Sequence, residues 1–168
     1  MTARPRRGRS TYIHATSMPP NMSTYLSLHY HIVFATRARV ACLEKTWRDR
    51  MFEYLGGTVR GLGGFPQGVG GWNDHVHLLV GLKATHVLSD VVREVKKASS
   101  VWIRDEIGMA GFNWQEGYGA FTVGYRERNV VKAYIAGQEE HHRRRTYLEE
   151  VETFYREAGV EFDPKYLG

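Results

Sequence analysis

The chain has little cysteine, no long apolar run and almost no net charge outside its first residues. One cysteine, Cys42, in 168 residues excludes an intrachain disulfide framework and a zinc–thiolate cluster. It points to a reducing, cytoplasmic setting. The apolar runs are only a few residues long, so no membrane-crossing helix is expected. The arginines near the start are not followed by an apolar stretch, which argues against a secretory signal. The net charge of +5 also resolves into unequal parts. Residues 1–22 carry Arg4, Arg6, Arg7 and Arg9 with no acid, and the rest holds 19 basic against 18 acidic side chains. Net charge therefore gives no footprint of a polyanion partner. Eight glycines fall within residues 56–71. No lysine closes them into GxxxxGK[ST], which excludes a Walker-type phosphate loop.

What remains is the composition of one folded domain. Hydrophobic residues make up 42 % and charged residues 24 % of 19.3 kDa, the usual range for a single core. Residues 1–22, with their arginines and the Pro19–Pro20 pair, read as a flexible basic tail ahead of a domain over 23–168. Residues 25–36 are aromatic and β-branched and read as a strand. Its parity sets Tyr30, Ile32 and Phe34 on one face and His29, His31 and Val33 on the other. Trp47, Met51, Leu55 and Val59 recur at helical spacing over 44–60. Strands are expected at about 64–71 and 75–81, joined by a turn at Asn73–Asp74. Helices follow at 86–106, 127–142 and 145–158, with a short strand at about 119–124. The order is β-α-β-β-α-β plus terminal helices. It predicts an α+β, ferredoxin-like or RRM-like antiparallel sheet with its helices on one face.

Two constellations can carry chemistry. His75 and His77 stand at i and i+2 of a strand, so both imidazoles leave one face, where they can share a cation or a phosphate oxygen. The same spacing also serves two solvated or core histidines. Tyr134 and Gln138 stand at i and i+4 of a helix, offering a phenol and an amide carbonyl on one side. A packed tyrosine with a wetted hydroxyl has that spacing too. His29 and His31 form a second alternating pair, which can line a nucleic-acid face or buffer the first. His141, His142, Arg143, Arg144 and Arg145 read equally as a solvated helix end and as a phosphate-contacting patch. Arg37, Arg39, Arg126, Arg128 and Lys132 are further scattered basic groups. Cys42, with no base near it in sequence, reads as a small buried hydrophobe.

The segments LHYHIVFATR (28–37), GGWNDHVHLLVG (70–81), SDVVREVKKASSVWI (89–103), WQEGYGAFTVG (114–124) and YIAGQEEHH (134–142) together resemble one family. Their order and spacing are those of the single-tyrosine transposases of small bacterial insertion sequences, within the HUH endonucleases. That group includes the enzymes associated with repetitive extragenic palindromes. The resemblance implies that His75 and His77 bind one divalent ion, Mg²⁺ or Mn²⁺, with Gln138 as third ligand. It implies that Tyr134 is the nucleophile, on a C-terminal catalytic helix. It further implies single-stranded DNA with hairpin ends as substrate, a 5′-phosphotyrosine intermediate, and a homodimer. Glu139 is a competing ligand beside Gln138, and Tyr118 and Tyr125 are rival tyrosines outside the YxxxQ pattern.

A free phenol titrates near about 10, so a tyrosine nucleophile needs a metal or a base beside it. A covalent phosphotyrosine conserves the phosphodiester bond, so a new 3′-hydroxyl can reverse the attack without a nucleotide cofactor. Three other readings stand against this one. They are a single-stranded nucleic-acid binder on an RRM-like sheet that does not cut, a metal-dependent nuclease that uses water, and a structural or dimerising domain.

Overall fold

A computed structural model describes residues 25–143 and 146–163. The expected tail at 1–22 lies outside the described residues, as do Arg144, Arg145 and residues 164–168. Four strands form one antiparallel sheet: β1 (His29–Ala35), β2 (Phe65–Gly71), β3 (His75–Gly81) and β4 (Gly119–Thr122), in the order β2-β3-β1-β4. This is the α+β order predicted above. β3 lies next to the long central strand β1, and all of its residues are buried. Among the described residues no helix is long and apolar enough to cross a membrane.

The sheet is covered on both faces, which corrects the expectation of helices on one side. Ile32, Phe34, Val76, Leu78 and Val80 point to one face. There they meet Trp47, Met51, Leu55 and Val59 of α1 (Lys45–Gly61) and Val91, Val92 and Val95 of α2 (Leu88–Trp102). A π-helical turn, Ile103–Ile107, extends α2 to Gly108, whose φ of 81° ends it in the left-handed region that glycine tolerates. The opposite parity carries His31, Val33, Ala35, His75, His77 and Leu79. Val33, Ala35 and Leu79 are apolar, so this face also needs cover. It is supplied by α3 (Arg128–Ala136), through Ile135, and by α5 (Tyr147–Glu157), through Tyr147 and Val151.

The single helix expected over 127–142 is two. Gly137 interrupts it, and α4 (Gln138–His141) follows as a short turn. Thr146 starts α5 with a capping box: its hydroxyl accepts from the Glu149 N–H, while the Glu149 carboxylate accepts from the Thr146 N–H at 2.8 Å. Lys96 Nζ donates to the carbonyls of Gln115, Glu116 and Gly117 at 2.6, 3.1 and 3.0 Å, fixing the loop that leads into β4.

Candidate metal centre and nucleophile

The site is built on the first residues of β3. The turn after β2 closes through Trp72 N–H to the His75 carbonyl. The Asn73 and Asp74 carbonyls accept from Leu43 and Thr36, each at 2.7 Å. This ties the turn to the end of β1. Strand alternation then sends His75 and His77 to the α3–α5 face, with Val76 in the opposite core. Both histidines are fully buried, and their rings stand 5.0 Å apart.

Gln138, His142 and Glu150 close around them. Gln138 is 1 % exposed. Its Oε1 lies 3.3 Å from His75 Nε2 and 2.9 Å from His142 Nε2, and its Nε2 donates to Glu150 Oε1 at 3.0 Å. Glu150, 2 % exposed, has Oε2 at 3.7, 3.5 and 3.2 Å from Nε2 of His75, His77 and His142. One ligand atom from each of His75, His77, His142 and Glu150 falls within 4.8 Å of all the others.

The residues fit a divalent cation. Ligands at about 2.0–2.2 Å from one ion stand roughly 3 to 3.5 Å from each other, close to the 3.2–3.7 Å between Glu150 Oε2 and the three imidazoles. Two of the converging atoms, His77 Nε2 and Glu150 Oε2, are buried without a hydrogen-bond partner, an arrangement that costs free energy unless something satisfies them. Burial pushes the Glu150 carboxyl up to about 8, with the Asp74 charge adding to the shift. Burial also holds His77 well below its ordinary value, with the neighbouring histidines adding to it. A cation among these groups would reverse both costs.

Tyr134 lies on α3 against this cluster. Its ring centroid is 5.8 Å from that of His77, 6.2 Å from His31, 5.2 Å from His141 and 5.6 Å from Phe154. Its hydroxyl is buried without a hydrogen-bond partner. A cavity of about 330 Å³ reaches Tyr134, His31, His141 and Glu150 between α3 and α5. α3 approaches β2 closely because residue 70 is glycine: a Cβ there would stand 2.5 Å from the Ile135 carbonyl oxygen.

Several other sequence candidates fall elsewhere. Glu139 faces away from the cluster: its carboxylate pairs with Lys45 at 2.8 Å and with Arg48 at 3.7 Å. His29 bonds Gln67 at the far end of β1. Tyr118 packs at the edge of the α1–α2 core. Tyr125 is 72 % exposed under the Arg128 guanidinium. Cys42 is half-buried, its thiol pushed up by burial, and it lines a separate cavity with Arg37 and Met109. The histidines of the proposed basic patch turn inward instead: His141 and His142 have Nε2 at 3.5 and 3.2 Å from Glu150 oxygens.

Sequence reasoning missed His142 and Glu150. Both had a signal. His142 follows Gln138 by four residues. Glu150 is a lone carboxylate inside the stripe formed by Tyr147, Val151 and Phe154. It also missed Asp74 as the partner of His75, whereas His31 stands behind the first pair, one of the two places the strand pattern offered it. Asp74 Oδ1 lies 2.7 Å from His75 Nδ1, and His31 Nε2 lies 2.9 Å from His77 Nδ1.

Comparison with known proteins places the fold and the family. A crystal structure of a candidate transposase from Deinococcus radiodurans R1 is 26 % identical, covering 72 % of this chain and 98 % of that one, with a TM-score of 0.59. A REP-associated tyrosine transposase bound to a REP hairpin shares the fold: it is 17 % identical, covering 72 % of this chain and 74 % of that one, with a TM-score of 0.54. No curated protein matches the chain in sequence. The family described as Transposase IS200 like matches residues 24–138, leaving His142 and Glu150 beyond the matched span. That match covers more than half of the sequence, and the chain belongs to the IS200-like transposase family.

Proposed function

We propose that the protein cuts and rejoins single-stranded DNA by metal-assisted transesterification, with Tyr134 as nucleophile. The observation that carries this reading is the buried hydroxyl of Tyr134 set against a cluster of imidazole, amide and carboxylate groups that fits one divalent ion. His75, His77, His142 and Glu150 would hold the ion, with Gln138 Oε1 beside them. The ion would act as a Lewis acid on the scissile phosphate. Three imidazoles favour Mn²⁺ over Mg²⁺, which prefers oxygen ligands.

The rest is work for the chain's own residues. Tyr134 Oη forms a bond to phosphorus and loses its proton. The P–O3′ bond breaks, and the departing O3′ takes up a proton. The products are a 5′-phosphotyrosine and a 3′-hydroxyl strand end. Attack by another 3′-hydroxyl reverses the step and joins a new strand. His31, Phe154 and Val131 wall the cavity beside Tyr134. Hairpin-bearing single strands are the proposed substrate, supported by family membership and by the shared fold of a relative bound to a hairpin.

The test is a denaturing gel of end-labelled single strands spanning the DNA on both sides of the gene, incubated with protein and Mn²⁺. A protein-sized labelled band is expected, and it should disappear with Tyr134→Phe while DNA retention on a native gel persists. Cut fragments without an adduct would mean hydrolysis by water. Retention without cutting would mean a binding module.

A further inference from the structure

We propose that Asp74 and His31 are positioning residues, which hold His75 and His77 in the one tautomer that turns both Nε2 lone pairs into the cluster. The inference rests on the metal-assisted reading above and adds to it the groups that prepare the ligands before any ion arrives.

A neutral imidazole has one N–H and one lone pair, and whatever bonds to one nitrogen decides the state of the other. Asp74 Oδ1 stands 2.7 Å from His75 Nδ1. A carboxylate only accepts, so Nδ1 of a neutral His75 carries the hydrogen and Nε2 is left bare. That Nε2 faces Gln138 Oε1 at 3.3 Å. Gln138 presents its amide oxygen there and no donor, because its N–H₂ group is turned to Glu150 Oε1, to which it donates at 3.0 Å. Two acceptors therefore confront each other in a fully buried space, which is the pattern that a cation between them resolves.

His77 is treated the same way from the other side. His31 Nε2 lies 2.9 Å from His77 Nδ1. The contact runs diagonally between neighbouring strands, since His31 pairs with Leu79 and His77 with Val33. If His77 donates through Nδ1, its Nε2 lone pair faces the cluster. If His31 donated instead, His77 would present an N–H toward Glu150 Oε2 at 3.5 Å, too far for a good hydrogen bond. His31 is held for this contact. It is 4 % exposed, with Phe154 edge-on at 5.1 Å and Tyr134 at 6.2 Å. Asp74 is held by its own carbonyl, which accepts from Thr36 N–H at 2.7 Å. A ligand histidine anchored at its second nitrogen is the usual way a protein sets ligand direction, and loss of such an anchor costs roughly 10- to 100-fold in metal affinity.

Two readouts test this. The first needs no variant: long-range ¹H–¹⁵N spectra of the imidazoles in ¹⁵N-labelled, metal-free protein. His75 and His77 should both appear as Nδ1–H tautomers, and finding the hydrogen on Nε2 of either ring overturns the assignment. The second is Mn²⁺ titration calorimetry without DNA. Asp74→Asn and His31→Gln keep an acceptor in place and should bind within a few-fold of wild type. Asp74→Ala and His31→Leu remove it and should bind roughly 10- to 100-fold more weakly, with Nε2–H signals emerging. If those two bind as tightly as wild type, the assignment fails alone. If wild-type protein takes up no Mn²⁺, the metal-assisted reading fails and this assignment with it. If Asp74→Ala or His31→Leu does not fold, the wild-type spectrum still decides.

Discussion

Glu150 faces three imidazole Nε2 atoms from a helix that lies beyond the family-matched span. Its raised pKa of about 8 leaves it mostly neutral at pH 7 in metal-free protein. Glutamine has the same shape as that neutral acid. At pH 7 without metal, Glu150→Gln should therefore melt higher than wild type, because glutamine keeps the packing and escapes the cost of protonating a buried acid. With Mn²⁺ added, wild type should gain more than the variant. A ligand at 100 times its dissociation constant stabilises by about 2.7 kcal/mol, and a tenfold loss of affinity removes about 1.3 kcal/mol of that. Equal metal-induced shifts in melting temperature would take Glu150 out of the ligand set. At the same scale, His77→Ala should lower metal-dependent cleavage by upwards of roughly 100-fold, about 2.7 kcal/mol of barrier. Unchanged cleavage on the same labelled strands would remove His77 from the site.

Between elements, the position of the tyrosine depends on a backbone contact. α3 rests on β2 at Gly70, where an added Cβ would meet the Ile135 carbonyl at 2.5 Å and Ile135 Cγ2 at 3.0 Å. Backbone cannot swing aside, so Gly70→Ala must move α3 and with it Tyr134 and Gln138. The expected cost is about 1–3 kcal/mol of stability, with a larger fractional loss of adduct formation. Gly68→Ala is the control on the same strand. Its nearest neighbour is Lys132 Cγ at 3.6 Å, ordinary contact, and it should keep near wild-type activity. Urea unfolding beside the adduct gel separates the two effects. The interruption at Gly137 matters for the same geometry. It ends α3 after the tyrosine, and the short α4 then brings Gln138 and the following histidines to the cluster.

For the whole molecule, the buried site sets a pH dependence with two opposing limbs in metal-free protein. His31 is lowered to about 4 by burial, and His77 lies well below 6.5. Bases depressed by folding contribute stability that is full above about 6.5 and is lost as pH falls through the folded values. Glu150 is raised from 4.5 to about 8. Its contribution is full below 4.5 and is lost as pH rises through 8. Two groups act on the acid limb and one on the alkaline limb, so the melting temperature should peak between about pH 6 and 7. His31→Gln should flatten the acid side and Glu150→Gln the alkaline side, as scanning calorimetry across pH 4–9 would show. Much of this molecule was legible in one dimension. Strand parity set His75 and His77 on one face and Val76 on the other, because alternation is a property of any strand. The hairpin turn at Asn73–Asp74, the helical stripe of α1 and the β-α-β-β-α-β order were equally local or nearly so. The cover on the second face was not, because Val33, Ala35 and Leu79 demand it only once the sheet is assembled. The approach of His142 and Glu150 to β3 was not legible either, nor was the diagonal contact of His31 with His77, 46 residues apart in sequence. Sequence alone determined which chemical groups the strand and the tyrosine helix would present. Tertiary packing decided which groups would face them, because burial on a shared face, and no local spacing, brings a carboxylate and a third imidazole to the same few ångströms.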